Sequence, residues 1–206
     1  MIRETLPLFS WPVSIAILKL NNKKILKHLE GIKWTANPGH PIEMGGKAKS
    51  MTGPNFKIDQ DLPQLKEAVD KEMAAFMRDV LYCDVKIRMI NSWATRTAPQ
   101  GYAAVHHHSN SWLTAVYYPR GNPAFKIRLF SPNRPLWNPL TYKKWTIHNS
   151  LNWTLAAEDN MLIICDSLLD HEVLLNESNL VRYSIAFTFL PEGTIGKGDG
   201  QVTLKY

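Results

Sequence analysis

Three of the seven histidines are contiguous, in Val105-His106-His107-His108-Ser109-Asn110-Ser111, just ahead of the apolar run Leu113-Thr114-Ala115-Val116-Tyr117-Tyr118. The stretch reads as β-strand. Side chains on a strand alternate between faces, so His106 and His108 point to one side and His107 to the other. Two imidazoles at i and i+2 on one face can share one metal ion, and neutral imidazole is the commonest metal ligand in proteins. A third histidine, His171, follows 63 residues after His108, and Arg182 comes 11 residues later in Val181-Arg182-Tyr183-Ser184. If the late strands lie beside the early one, His106, His108 and His171 occupy one face of an iron and leave its other positions open. Arg182 then sits deeper, where a guanidinium grips a carboxylate with two parallel hydrogen bonds. Ser184, at i+2 on the same face, adds a hydroxyl.

The elements that must position these residues follow from the pattern of apolar positions. Leu8-Phe9-Ser10-Trp11-Pro12-Val13 reads as an apolar strand entering the core. Asn21 to Gly31 predicts a short amphipathic helix with Ile25, Leu26 and Leu29 on one face. Residues 35–60, rich in Gly, Pro, Lys and Asn, predict an irregular segment that could serve as a lid. A longer helix follows. Asp61 is its expected N-cap, with Pro63 in the first turn, Gln64 completing a capping box, and an end near Tyr82.

After residue 83 short apolar runs recur at about 83–95, 101–107, 111–118, 124–130, 144–147, 152–157, 160–165, 168–175 and 181–190, separated by turn signals. That rhythm predicts a mainly β fold, a jelly roll or double-stranded β-helix. The expected organisation is one domain over 1–206. It has an N-terminal helical elaboration (1–82), a jelly-roll core (83–196) and a C-terminal tail (197–206).

Composition sets bounds. At 206 residues, 45% hydrophobic and 20% charged, the chain can build one sizeable core. No apolar run approaches the ~18 residues of a membrane span. Met1-Ile2-Arg3-Glu4-Thr5-Leu6-Pro7 lacks the apolar segment of a signal peptide. Cys83 and Cys165, far apart in apolar runs, read as buried free thiols in a reducing cytoplasm. A net charge of +6, with no Lys/Arg block of five, permits a nucleic-acid partner without supporting one.

The combination of motifs resembles the phage-type Fe(II)/2-oxoglutarate-dependent oxygenases over roughly residues 85–196. It comprises Asn91-Ser92-Trp93, Gly101, His106-x-His108-Ser109-Asn110-Ser111, Leu113 to Tyr118, Phe130-Ser131-Pro132, Asp159-Asn160-Met161-Leu162-Ile163-Ile164, Ser167-Leu168-Leu169-Asp170-His171-Glu172-Val173, Asn176, and Arg182-Tyr183-Ser184-Ile185-Ala186-Phe187. The resemblance implies a jelly-roll hydroxylase that consumes 2-oxoglutarate and dioxygen and works in the cytoplasm, the host's if phage-encoded. Fe(II) would be held by His106, His108 and His171, and the distal carboxylate of 2-oxoglutarate by Arg182. Ser184, Asn91, Tyr102 and Tyr117 are further candidates to contact the co-substrate, and Trp137 to contact substrate at the rim. One departure stands out. The general oxygenase pattern is His-x-Asp/Glu with a later His, whereas here His108 stands at the carboxylate position. Asp170 and Glu172 flank His171 but alternate to the opposite face. Two other readings remain open on the residues alone. One is a cupin-like metalloenzyme that uses the same histidines without 2-oxoglutarate. The other is a non-catalytic phage accessory module with a closed structural metal site.

Overall fold

The computed structural model describes residues 10–35, 51–52, 56–132 and 141–206. Among the described residues twelve strands fall into two antiparallel sheets. The major sheet runs in the order β1 (Ser14–Ile17), β9 (Met161–Asp166), β6 (Leu113–Tyr118), β11 (Arg182–Ile195), β4 (Lys86–Thr97), β3 (Met51–Thr52) and β2 (Trp34–Thr35), with β12 (Val202–Leu204) paired to the far end of β11. The minor sheet runs β5 (Ala103–His106), β10 (His171–Val173), β7 (Asn122–Phe130) and β8 (Asn152–Ala157). The predicted jelly roll is therefore present. None of the described helices is long and apolar enough to cross a membrane.

The major sheet is covered on both faces, and its sequence reflects this. In β9, Met161-Leu162-Ile163-Ile164-Cys165 shows no polar alternation because every residue is buried. Leu162 and Ile164 join a core with the helices α1 (Asn22–Gly31) and α3 (Pro63–Ala75), whose Leu29, Leu65, Val69 and Met73 pack against Ile185 and Phe187 of β11. Met161, Ile163 and Cys165 turn the other way, into the space between the sheets, beside Phe125, Ile127 and Leu129 of β7.

Helix α1 is capped as its sequence predicts, Asn21 Oδ1 accepting from the Lys24 amide at 3.1 Å. The capping box expected at Asp61 does not form. Asp61 closes a separate short helix α2 (Ile58–Asp61), and its Oδ2 accepts from the Lys57 amide at 2.7 Å. That carboxylate is spent on the N-terminus of the preceding turn, so α3 starts on Pro63 with no side-chain cap. The helical path continues as a π-turn, Phe76–Val80, and stops before Tyr82, which has φ 48°.

Three strand expectations are corrected. Residues 144–147 form no strand. Asn149 accepts from the amide and hydroxyl of Thr146 and donates to the Lys144 carbonyl, so a local side-chain turn replaces any ladder. The expected irregular segment 35–60 includes paired strand at 51–52 and helix from Ile58; residues 36–50 and 53–55, with most of the expected lid, lie outside the described residues. The expected tail turns back, and β12 pairs residue for residue with Gly193–Ile195.

Asn176 ties the loop ahead of β11 to the two strands beside it. Fully buried, it donates through Nδ2 to the carbonyls of Leu180 (2.8 Å) and Thr97 (3.3 Å) and accepts at Oδ1 from Ser178. Its backbone exchanges bonds with Gly101 and Gln100. Truncating it removes a donor from both carbonyls and leaves Leu180 only the longer 3.3 Å bond from the Ser178 hydroxyl. Asn176→Ala is expected to lower folding stability by about 2–3 kcal/mol. Asn176→Asp, which keeps the shape but loses both donors, should do no better. Urea denaturation of the three proteins checks both; an Asp variant as stable as the parent would contradict this account.

Candidate active site

His106 ends β5 and His171 begins β10, and the two are directly opposed in the ladder. Their ring centroids are 4.4 Å apart. His108 lies just beyond the strand end, its amide donating to the Ser167 carbonyl at 2.8 Å. Its carbonyl accepts from the Ser111 hydroxyl, which also meets the Ser167 hydroxyl at 2.9 Å. Its ring stands 5.2 Å from that of His171 and 5.4 Å from that of His106. One nitrogen from each of the three rings lies within 4.8 Å of the others, a spacing one ion can span. The sequence therefore identifies the cluster, although β5 stops at His106, one residue before the expected strand end.

Two of the rings are oriented by backbone. His106 Nδ1 lies 2.7 Å from the Ala104 carbonyl and His171 Nδ1 2.9 Å from the Leu169 carbonyl. A carbonyl can only accept, so each Nδ1 carries the proton and each Nε2 keeps its lone pair for a ligand. Burial and the neighbouring imidazoles push both His108 and His171 down to about 4, because a charged ring would sit desolvated beside other rings. Both are neutral near pH 7, the state that binds metal. Both neighbouring carboxylates face away, as strand alternation predicts. Asp170 bonds His107 at 2.9 Å, and Glu172 bonds Arg128 at 2.8 Å. No carboxylate completes the set; the described donors are three histidines.

Beside them a cavity of about 130 Å³ opens between the sheets. β11 and β4 supply one wall through register. Ser184 stands opposite Thr95 and Ala186 opposite Trp93, and all four line the cavity. Arg182 begins the same face of β11, opposite Thr97, another lining residue. Only 1% of Arg182 is exposed. One guanidinium nitrogen donates to the Leu174 carbonyl at 3.3 Å, while Nη2 is buried with no hydrogen-bond partner. Burial lowers its pKa, and no carboxylate among the described residues pairs with it.

Two expected co-substrate contacts do not line the cavity. Asn91 is exposed two residues beyond Trp93 on the same face of β4, opposite Thr188, and its Oδ1 accepts from the Ser92 amide. Tyr117 points into the helix-side core and donates to Asn160 Oδ1 at 2.5 Å. Its neighbour Tyr118 lines the cavity instead, close enough to Arg182 for the guanidinium charge to counter the rise that burial causes in its phenol pKa. Tyr102 does line the cavity. Trp93, also on the wall, sets its ring 5.4 Å from that of His108. Trp153 is exposed on β8, and Trp137 lies outside the described residues.

Residues 91–188 match the family described as "Putative 2OG-Fe(II) oxygenase", a span that contains every residue of this cluster. The chain carries a 2-oxoglutarate–Fe(II) oxygenase domain. It is a dioxygenase whose cofactors are Fe(II) and 2-oxoglutarate. Among solved structures, HygX from Streptomyces hygroscopicus with nickel and 2-oxoglutarate bound superposes with a TM-score of 0.61 at 13% identity, covering 88% of this chain and 83% of that one. A prolyl-4-hydroxylase from Pseudomonas putida gives 0.58 at 14% identity over 89% and 95%. A 2OG-Fe(II) oxygenase-family oxidoreductase from Burkholderia pseudomallei gives 0.55 at 12% over 82% and 77%. At such identities the likeness is one of fold. No curated protein matches the chain in sequence. The oxygenase's residues fit its cofactors. Three imidazoles converge at metal-binding spacing, and a guanidinium nitrogen without a hydrogen-bond partner is buried on Arg182, which begins the β11 face that carries Ser184 and Ala186.

Cys165 also lines the cavity, and burial together with Asp166 pushes its thiol up to about 12. At pH 8 its thiolate fraction is roughly a thousandfold below that of an ordinary thiol. Titration of the folded oxygenase with a thiol reagent should show one reactive cysteine, the half-buried Cys83, with Cys165 reacting only on unfolding. Two fast thiols in the native protein would show that the cavity wall opens.

Proposed function

We propose that this oxygenase is a hydroxylase of the phage-type branch, the whole chain 1–206 serving as one domain, with Fe(II) held by His106, His108 and His171 and 2-oxoglutarate anchored by Arg182. The convergence of the three rings on one point supports the metal assignment most directly. His108 in place of a carboxylate supports the branch. The two free cysteines suit a reducing compartment such as the cytoplasm.

The residues divide the work. The three imidazoles bind as neutral donors from two segments, and a three-donor set leaves coordination positions to small molecules. When bound there, Fe(II) supplies dioxygen activation coupled to decarboxylation of 2-oxoglutarate to succinate and carbon dioxide. Arg182 offers a desolvated cation to a carboxylate, and its buried Nη2 is the donor still to be satisfied. Ser184, Thr95 and Tyr118 place hydroxyl-bearing side chains along the same wall. Val116, Ile127, Leu129 and Ile163 make the remainder apolar and exclude water from the reacting centre. Because no ligand is anionic, the dicarboxylate is expected to bind the metal-loaded protein much better than the metal-free one. A structural-metal module is disfavoured by a described donor set of three, since structural zinc takes four.

Supplying Fe(II), 2-oxoglutarate and dioxygen should yield succinate even without the primary substrate, at a slow uncoupled rate. A protein that binds metal but neither binds 2-oxoglutarate nor forms succinate would favour the cupin-like reading. Arg182→Lys should weaken 2-oxoglutarate binding by roughly 10- to 150-fold, about 1.5–3 kcal/mol, with metal binding nearly intact, because an ammonium cannot reproduce the two parallel bonds. His171→Ala should lose metal and 2-oxoglutarate together. Calorimetry with an inert divalent ion separates the two variants. An Arg182→Lys protein that binds 2-oxoglutarate like the parent would remove the arginine from this role.

A further inference from the structure

The β5–β10 ladder is weak where the site needs it most. It has two register pairs, His171 with His106 and Val173 with Ala103, with an irregularity between them. β5 ends at His106 and β10 begins at His171, so the pair carrying two of the rings is also the last pair of the ladder. Past it, the His108 amide bonds Ser167 rather than continuing along the strand.

In an antiparallel pair the next opposed residues after His106 and His171 are His107 and Asp170, pointing to the outer face. Their side chains meet there, His107 Nδ1 to Asp170 Oδ1 at 2.9 Å, with 45% and 42% of each side chain exposed. His107 lies between two ring-bearing positions, and Asp170 is covalently next to the third. The Asp170 carbonyl also accepts from the Phe130 amide at 2.9 Å, which ties this end to β7.

We propose that the His107–Asp170 hydrogen bond is a clasp that holds the His106–His108 segment against His171 and so sets how tightly the site takes its metal. The proposal rests on the three-histidine reading above. The clasp touches no metal or substrate; both residues are positioning residues. With it gone, no side-chain bond among the described residues closes the ladder's open end on the outer face, and the two halves of the ligand set can separate before a metal arrives. Binding must then supply the ordering that the clasp provided.

The full-length parent, H107A, D170A, the double alanine variant, H107N and D170N are titrated with Co(II) by calorimetry, and each metal-free protein is melted. H107A and D170A should each bind Co(II) roughly 3- to 10-fold more weakly, the scale of one partly exposed hydrogen bond. D170N keeps an acceptor oxygen and H107N keeps a donor near the Nδ1 position, so both should stay within about twofold of the parent. The double variant should be no weaker than the poorer single one, because both remove the same bond. Metal-free melting temperatures should move little. Alanine variants that bind Co(II) like the parent overturn the proposal. So do alanine variants that lose metal-free stability while the asparagine variants fail to restore affinity, which would make the pair structural only. A parent that takes up no Co(II) overturns the three-histidine reading itself, and the clasp with it.

Discussion

The placing of His106 opposite His171 is the constraint on which the molecule is organised. The two residues are distant in sequence and meet only because β5 and β10 pair in a short antiparallel ladder. A slip of one residue in either strand would send one ring to the outer face and replace it with Val105, Asp170 or Glu172. The surrounding architecture suppresses that slip. β10 is held on its other side by β7, with His171, Glu172 and Val173 each in register, and the apolar side chains of β7 anchor that strand between the sheets. The helices contribute from further away. By covering the outer face of the major sheet they let β9, β6 and β11 be apolar on both sides and therefore rigid backing for the cavity.

Arg182 carries the opposite kind of information. A guanidinium removed from water without a carboxylate is costly, and folding alone gives no reason to keep one there. Most buried polar atoms in proteins are satisfied, so the orphaned Nη2 of Arg182 is a departure from the rule. The metal cluster shows the complementary economy. The surroundings of His108 and His171 hold those two rings neutral, so they do not charge an empty site. The positive charge would arrive with the ion.

The fold and the ligand set were legible in sequence for different reasons. Short apolar runs at regular spacing marked most of the strands. His-x-His followed by a later histidine and an arginine marked the site, because side-chain alternation is a local rule that survives without knowledge of the partner strand. The failures share a cause as well. Leu113-Thr114-Ala115-Val116-Tyr117-Tyr118 is buried on both faces, so nothing in it distinguishes the face of Tyr117 from that of Tyr118. Asn91 shares the face of Trp93 but lies beyond the cavity lining, and strand alternation says nothing of how far along a strand a cavity extends. Thr146 and Asp61 found local hydrogen bonds that spacing could not foresee. The His107–Asp170 contact was nearly visible, since both residues had been assigned outward; recognising it required the register.

The hydrogen bonds at His106 and His171 share a detail. Each Nδ1 meets the carbonyl of the residue two positions earlier on its own chain segment, Ala104 or Leu169. The choice of tautomer is thus encoded in a three-residue stretch and asks nothing of side chains elsewhere. A carbonyl is present whatever amino acid carries it, so substitution at positions 104 and 169 leaves the acceptor in place. Such a centre is insulated from sequence drift. The sandwich around it can exchange nearly all its residues, as chains only 12–14% identical yet alike in fold have done, while the chemistry of the ligand nitrogens stays under local control.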